Sequence, residues 1–514
     1  MNIAEHVERG RRLFPDRVAV QAGDARWTYA DLDAYTGRLA AHLRSTGVAS
    51  GDRVALLLPN TAVFVVAYLA VLKLGATVVP VNTRLQAVEI GHILDDSRCA
   101  PVLTTPDLRP KLPRTAAVRV LPARGAPADF DFTPDGGVPT AQLDRDTPST
   151  LLYTSGTTGQ PKGALLSHGN VVSNMNAKVR HTGMGPDDRL MLFLPLYHCY
   201  GLNAVLNAGL NACASVVVLP SFDRGRCLRT IRDERITMFF AVPSVYRLLL
   251  DSAVSPDELA GIRYFMSAGA PLPVTTQSAW AERFGTVINE AYGLTETSPF
   301  ACYNHQFRHR IGSIGAPIEN VEVRVVDPAT GHPLPVGEIG EIVVRGPNVM
   351  LGYWNAPQAT AAAIVDGWFR TGDLGRVDED GYFYLVDRRT DLLIVDGQNV
   401  YPAELERVLR AHPGVADVVV YGRPHEVVGH IVCAGVVPAR DAPPTRADLR
   451  AHCATRLAPY KVPKIFTLLD EIPRGETGKP LRNLLAGTTA DGRPGPRPVP
   501  PGHDGDDPRL EYVR

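Results

Sequence analysis

Charge of one sign is missing from this sequence: 53 Lys and Arg offset 54 Asp and Glu, for a net charge of −1. That excludes the electrostatic footprint of a nucleic-acid or anionic-membrane binder. Cysteine is sparse. The seven, at 99, 199, 213, 227, 302, 433 and 453, are odd in number and form no C-x-x-C pair. A zinc ribbon and a disulfide scaffold are thereby excluded, and reduced thiols in a cytoplasmic protein are expected. Long hydrophobic runs are absent too. The longest near the N-terminus, Ala62 to Leu72, is too short to span a bilayer and ends at Lys73, so it reads as a buried helix and no stable membrane insertion is expected. The first twenty residues are partly basic but lack the apolar centre of a signal peptide. Three catalytic motifs fail on spacing. His425-Glu426 and His430 are one residue too far apart for H-E-x-x-H, and no G-x-S-x-G surrounds Ser155. Lys162 lies between Pro161 and Gly163, which is not the Gly-Lys-Ser/Thr of a Walker A loop.

What is present is ordinary globular composition, 45% hydrophobic and 21% charged, over 514 residues, enough chain for more than one domain. Strand-like and helix-like stretches alternate: 54–59 before 62–72 and then 76–82, and 214–220 before 227–236, 237–243 and 244–253. This alternation predicts parallel sheets covered by helices. From 320 the texture changes to short strands (VEVRVVD, GEIVVRG, GYFYLVD) with turns at 328–331 and 378–381, predicting a β-rich subdomain. The polar stretch DRRTD, 387–391, is a candidate interdomain connection. A smaller α+β unit follows, with a helix starting at Pro402. From 488 the chain is rich in Pro, Gly and charge and reads as a disordered tail. No internal repeat is found.

The stretch YTSGTTGQPKGALLSHGN, 153–170, carries the first chemical signal. Glycines let backbone N–H groups approach phosphate oxygens, hydroxyl side chains add donors, and Lys162 adds a positive charge. Seven further motifs follow in order: PLYHCYG (195–201), SAGAPL (267–272), AYGLTET (291–297), GEIGEIVVRGPNVMLGYW (337–354), GWFRTGDLGRVDEDGYFYLVDR (367–388), DGQNVYPAELE (396–406) and PRGETGKPLR (473–482).

Together these resemble the adenylate-forming superfamily of acyl-CoA synthetases, 4-coumarate–CoA ligases, firefly luciferase and peptide-synthetase adenylation domains. The texture is closest to medium-length acyl-CoA synthetases. The resemblance implies an acid–thiol ligase that makes an acyl-adenylate from a carboxylic acid and ATP with Mg²⁺, then passes the acyl group to coenzyme A. It implies an α/β fold. A large domain of two helix-covered parallel-type sheets plus a β-rich barrel subdomain (1–387) binds AMP and the acyl group. A hinge (388–391) joins it to a small mobile α+β domain (392–487), and 488–514 is the tail.

By the same resemblance Thr154, Ser155, Gly156, Thr157, Thr158, Gly159 and Lys162 form the phosphate loop. Thr295 and Glu296 contact phosphate, and Glu296 with Thr158 serves the metal, a carboxylate being a hard oxygen ligand suited to Mg²⁺. Gly269, Ala270, Pro271, Glu290, Ala291, Tyr292 and Gly293 line the adenine slot. Asp373 accepts from both ribose hydroxyls, as a two-oxygen acceptor can, with Leu385 and Arg388 nearby. Lys479 bridges the carboxylate and the α-phosphate, stabilising charge that develops in the transition state. Gly397 keeps the pantetheine tunnel open, and Thr390 is the hinge residue. His198 gates the acyl pocket, whose candidates are His198, Tyr200, Gly201, Phe240, Val242, Ser267 and Gly293, mostly small or apolar. Arg247, a cation a second carboxylate would need, lies one residue, or about 100° of helix, from the matching place in malonate-specific relatives, against a small dicarboxylate.

Two residues depart from the pattern. Thr390 stands where relatives usually carry Asp or Lys, and Asp396 where Gly is frequent, which leaves open an enzyme specialised for one half-reaction. The same motifs are compatible with loading of a carrier protein's phosphopantetheine, or with a silent adenylate-binding protein. The partners expected are a small carboxylic acid, no nucleic acid, and, compatible with the sequence, a second copy or a carrier protein.

Overall fold

The apolar segment beginning at Ala62 forms the helix Ala62–Lys73, every residue of which is buried. Lys73 can end it inside the protein because its ammonium reaches Asp33 at 2.6 Å and Glu8 at 3.2 Å. The computed structural model describes residues 1–114, 116–122, 137–154, 161–388, 391–395, 398–425, 429–440, 442–457, 459–475, 478 and 480–487. Among these no helix is long and apolar enough to cross a membrane. The described residues fall into two compact units, the first running to Arg388 and the second starting at Asp391. The tail expected from 488 lies outside the described residues.

The first unit contains three sheets. Helix Ala62–Lys73 joins two strands of the seven-stranded sheet, Arg53–Leu57 and Thr77–Pro80, which pair in parallel. The nine-stranded sheet holds Arg189–Leu192, Met238–Ala241, Tyr264–Ser267 and Ile288–Gly293 side by side, also in parallel. Residues 320–388 build the expected β-rich part, in which Gly340–Arg345 and Trp368–Val377 pair antiparallel. Its turns close as the sequence indicates, the N–H of Gly331 donating to Asp327 and that of Gly381 to Asp378. Both larger sheets are nearly continuous apolar runs, which is what sheets covered on two faces require.

Some boundaries move. The helix expected from 227 starts at Arg224, because Asp223 caps it by accepting from the N–H of Arg226. Periodicity did not indicate the π-helical segment Tyr200–Asn207, in which Asn207 donates to Tyr68 at 2.8 Å and to Asn203 at 2.9 Å. Nor did it indicate the two-residue strand Gly352–Tyr353, too short to carry an alternation.

In the second unit the strands Val415–His425 and Gly429–Pro438 form a long antiparallel ladder. The helix Pro402–Arg410 begins with proline as expected and buries Leu405 and Leu409. Buried Glu406 accepts from the Val420 N–H and from Arg482, which also reaches Asp391 at 2.9 Å.

Candidate active site

Two strands hold the stems of the glycine-rich stretch. Pro148–Thr154 and Lys162–Ser167 pair antiparallel, with Thr154 opposite Lys162. Tyr153, next to the first stem, donates to Asp96 at 2.6 Å. Ser155, Gly156, Thr157, Thr158 and Gly159 lie outside the described residues. On its other edge Lys162–Ser167 pairs with Gly352–Tyr353. That pairing brings the Tyr353 ring within 5.5 Å of the Lys162 ammonium. The Tyr353 hydroxyl in turn donates to Glu296 at 2.9 Å. Burial first, and then the Glu296 charge, push the ionisation of Tyr353 upward, so its proton stays available for that bond.

Glu296 sits on a single tight turn, Thr295–Thr297, built from all sides. The amide of Asn348 donates to the carbonyls of Thr297 (3.0 Å) and Phe300 (2.9 Å), and the amide of Asn174 to Phe300 (2.7 Å). The Met350 N–H donates to the Glu296 carbonyl at 2.8 Å. At the entry to the turn Gly293 lies so close to the Pro299 carbonyl and Phe300 that a Cβ would collide with backbone. Thr295 is half-buried beside it.

A second pair lies between the strands Ile288–Gly293 and Trp368–Val377. The Tyr292 hydroxyl donates to Asp373 at 2.8 Å, and both residues are buried. Asp373 stands opposite Arg388 in the next ladder, with half-buried Leu385 on the same strand. Tyr292, expected as a wall for the base, thus also orients the carboxylate expected at the ribose.

Among the described residues no three His, Cys, Asp or Glu side chains gather into a metal cage. The single carboxylate of Glu296 suits Mg²⁺, which binds through one or two carboxylates together with phosphate oxygens and water. Tyr353 takes one hydrogen-bonding position on Glu296 and leaves the carboxylate with acceptor capacity.

The profile of the AMP-binding enzyme family matches residues 7–354, and that of the AMP-binding enzyme C-terminal domain matches 404–479. The chain belongs to the AMP-binding enzyme family. It is 39% identical over 482 residues to a feruloyl-CoA synthase of Amycolatopsis sp, covering 92% of this chain and 96% of the relative. Among solved structures it is similar to ATP-bound MatB from Rhodopseudomonas palustris, with a TM-score of 0.89, 35% identity and coverage of 95% and 98%. It is also similar to the O-succinylbenzoate coenzyme A synthetase of Bacillus subtilis in complex with ATP and magnesium, with a TM-score of 0.81, 32% identity and coverage of 93% and 98%.

The remaining candidates can be placed on this AMP-binding enzyme. Gly269 and Pro271 are exposed on the loop after strand Tyr264–Ser267, and Gly269 has φ +86°, which glycine adopts without strain. Glu290 braces that loop from beneath, accepting from the Leu272 N–H (2.9 Å) and from Gln277 (3.2 Å). Its carboxylate is committed to protein donors, and burial pushes it up to about 8. Ala291 is buried in the same strand. At the acyl-pocket positions, His198 is half-buried and the Tyr200 hydroxyl turns toward the carbonyls of Ala241 (3.4 Å) and Met266 (3.2 Å). Phe240 and Ser267 are buried and Val242 half-buried. Gly201 packs against backbone, since a Cβ there would meet the Pro195 oxygen at 2.6 Å. Arg247 is exposed and paired with Asp251 at 2.7 Å. Gly397, Asp396, Thr390 and Lys479 lie outside the described residues. Sequence reasoning missed Tyr353 and the clamps Asn174 and Asn348. Tyr353 and Asn348 stood within a quoted motif, but nothing local told that they meet Glu296.

Proposed function

We infer that this chain is an AMP-forming acyl-CoA ligase whose acid is aromatic or otherwise apolar. ATP and a carboxylic acid give an acyl-adenylate and pyrophosphate, and the thiol of CoA then displaces AMP. The observation that supports this best is the meeting of Lys162, Tyr353 and Glu296 at the stems of the glycine-rich loop. It links a cation and a hard-metal ligand through one tyrosine, and the phosphates of ATP call for both. Bound there, Mg²⁺ would supply neutralisation of phosphate charge. Glu296 would hold it, Lys162 with the hydroxyls and N–H groups of 154–159 would hold the phosphates, and Asp373, oriented by Tyr292, would hold the ribose. Lys479 stabilises the adenylation transition state, Gly397 borders the route of the pantetheine arm, and Thr390 is the hinge between half-reactions. The apolar acid is supported by Tyr200, Phe240 and Phe300 around the pocket positions, and by Arg247 pairing outside with Asp251.

The test is a panel of aromatic, fatty and dicarboxylic acids with ATP and Mg²⁺, scored separately for pyrophosphate release and for CoA thioester. The expected result is both products from apolar monocarboxylic acids. Release of neither across the panel would overturn the reading. Pyrophosphate without thioester would restrict the enzyme to the first half-reaction.

A further inference from the structure

Asp96 lies in the last turn of the helix Ala87–Ser97, outside every motif of the sequence. That turn has no basic side chain, and the negative end of a helix opposes an acid. The carbonyls at this helix end are served by Arg53, which donates to Ser97 at 2.5 Å and to Arg98 at 3.4 Å. Ending the helix is thus not what the Asp96 carboxylate does.

It reaches the seven-stranded sheet instead. One oxygen accepts from the Tyr153 hydroxyl at 2.6 Å, and the other from the Asn355 amide at 3.3 Å. The Asp96 backbone carbonyl accepts from the Trp354 indole and from the same Asn355 amide, both at 3.0 Å. Burial first, and then the bond to Asp96, keep the proton on the Tyr153 oxygen. A hydroxyl donating to a carboxylate at this distance is among the stronger hydrogen bonds a side chain makes.

Tyr153 and Trp354 stand on either side of one residue. Tyr153 pairs with Gly163 across the ladder, and the Trp354 N–H donates to the Gly163 carbonyl at 2.7 Å. A Cβ on Gly163 would meet the Tyr153 ring at 3.3 Å, so that ring lies against it. Asp96 therefore straps three neighbouring segments, 148–154, 162–167 and 352–355, at the level of Gly163. Lys162 precedes Gly163 and Tyr353 precedes Trp354, and Tyr353 donates to Glu296.

We propose that Asp96 is a positioning residue for adenylation, fixing the first stem of the glycine-rich stretch and the Tyr353 segment so that Lys162 and Glu296 meet the phosphates of ATP and their Mg²⁺ together. This rests on the acyl-CoA ligase reading above. Asp96 acts through Tyr153, Trp354 and Asn355, not on the reacting atoms. Its effect belongs to the first half-reaction, since the thiol meets an intermediate from which pyrophosphate has already gone.

The experiment compares Asp96→Ala, Asp96→Asn and Tyr153→Phe with the parent, using the best acid of the panel. Pyrophosphate release gives kcat/KM for ATP and the magnesium half-saturation. Thioester formation from preformed acyl-adenylate and CoA gives the second step, and the melting temperature controls for folding. Small displacements of reacting groups are costly, so Asp96→Ala should lower kcat/KM for ATP roughly 10- to 100-fold and raise the magnesium half-saturation. Thioester formation from the adenylate should stay within about 2-fold of the parent, because that step lacks the interactions concerned. Asp96→Asn keeps an oxygen for the Tyr153 hydroxyl and should lose less than Asp96→Ala. Tyr153→Phe should fall in the same direction, and combined with Asp96→Ala it should add less than the two losses summed, because the pair shares one bond. Should Asp96→Ala not fold, Tyr153→Phe, which removes a single oxygen, carries the same comparison of half-reactions. Unchanged ATP and magnesium kinetics, equal loss of both half-reactions, an Asn variant no better than Ala, or additive losses in the double variant would overturn the proposal while the ligase reading stands. A parent that yields neither pyrophosphate nor thioester from any acid would overturn the ligase reading itself.

Discussion

The Glu296 carboxylate is held by a phenol at 2.9 Å, and that phenol sits beneath the Lys162 ammonium. Tyr353→Phe removes one hydrogen bond to a charged group, worth about 1.5–3 kcal/mol. Magnesium half-saturation should rise and kcat/KM for ATP fall roughly 10-fold or more, with melting little changed. Unchanged magnesium titration by pyrophosphate release would show that Tyr353 serves packing alone. Glu290 makes the opposite case, a carboxyl next to the site that does structural work. Its carboxyl titrates at about 8 in the folded chain against 4.5 when unperturbed. The folded state binds that proton more tightly, so the stability it contributes is full below pH 4.5 and is lost as pH rises toward about 8. Glu290→Gln keeps an oxygen for the Leu272 N–H and cannot titrate. Across pH 5 to 9, the melting temperature of the parent should therefore fall relative to that of the variant. A difference that stays flat would mean Glu290 is ionised throughout.

At the scale of elements, the strand Ile288–Gly293 ends where Gly293 meets the Pro299 carbonyl, and the turn bearing Glu296 follows at once. Gly293→Ala forces the backbone apart at that point. Overpacking of this kind costs about 1–3 kcal/mol, and the displaced turn should lower adenylation more than it lowers the melting temperature. Parallel loss of both would mark a purely structural glycine. These elements also show what the sequence made legible. Alternation of apolar strand and helix gave the parallel sheets, because strands buried on both faces must be apolar throughout. The motif order brought Lys162, Glu296 and Asp373 forward as candidates. What stayed hidden were contacts between distant segments. Tyr353 reaches Glu296 only through the pairing of Gly352–Tyr353 with Lys162–Ser167, and a two-residue strand has no periodicity to read. The π-helical segment is hidden for a related reason: the bond of its Asn207 to Tyr68 joins residues far apart in the chain.

For the whole molecule, the proposed exchange between half-reactions depends on the short connection near 388–391. Proline fixes φ near −65°, so Thr390→Pro should leave adenylation measurable and reduce thioester formation much further, with an unchanged melting curve as the folding control. Pyrophosphate exchange and thioester yield on the same preparation decide it; thioester at the parental rate would mean that 390 is not the hinge. The paired stems at Thr154 and Lys162 belong to this scale as well. Their ladder continues back to Pro148 and Ser167, while Thr77–Pro80 pairs with the first strand and Gly352–Tyr353 with the second. Each stem strand is thus held in the sheet by a neighbour of its own. A nick between Thr154 and Lys162 is therefore expected to leave two polypeptides sharing one seven-stranded sheet and melting together, and, on the proposed phosphate-holding role of this stretch, unable to turn over ATP. The chain carries a natural seam for two-piece reconstitution, at which joining of the halves and recovery of catalysis can be scored apart.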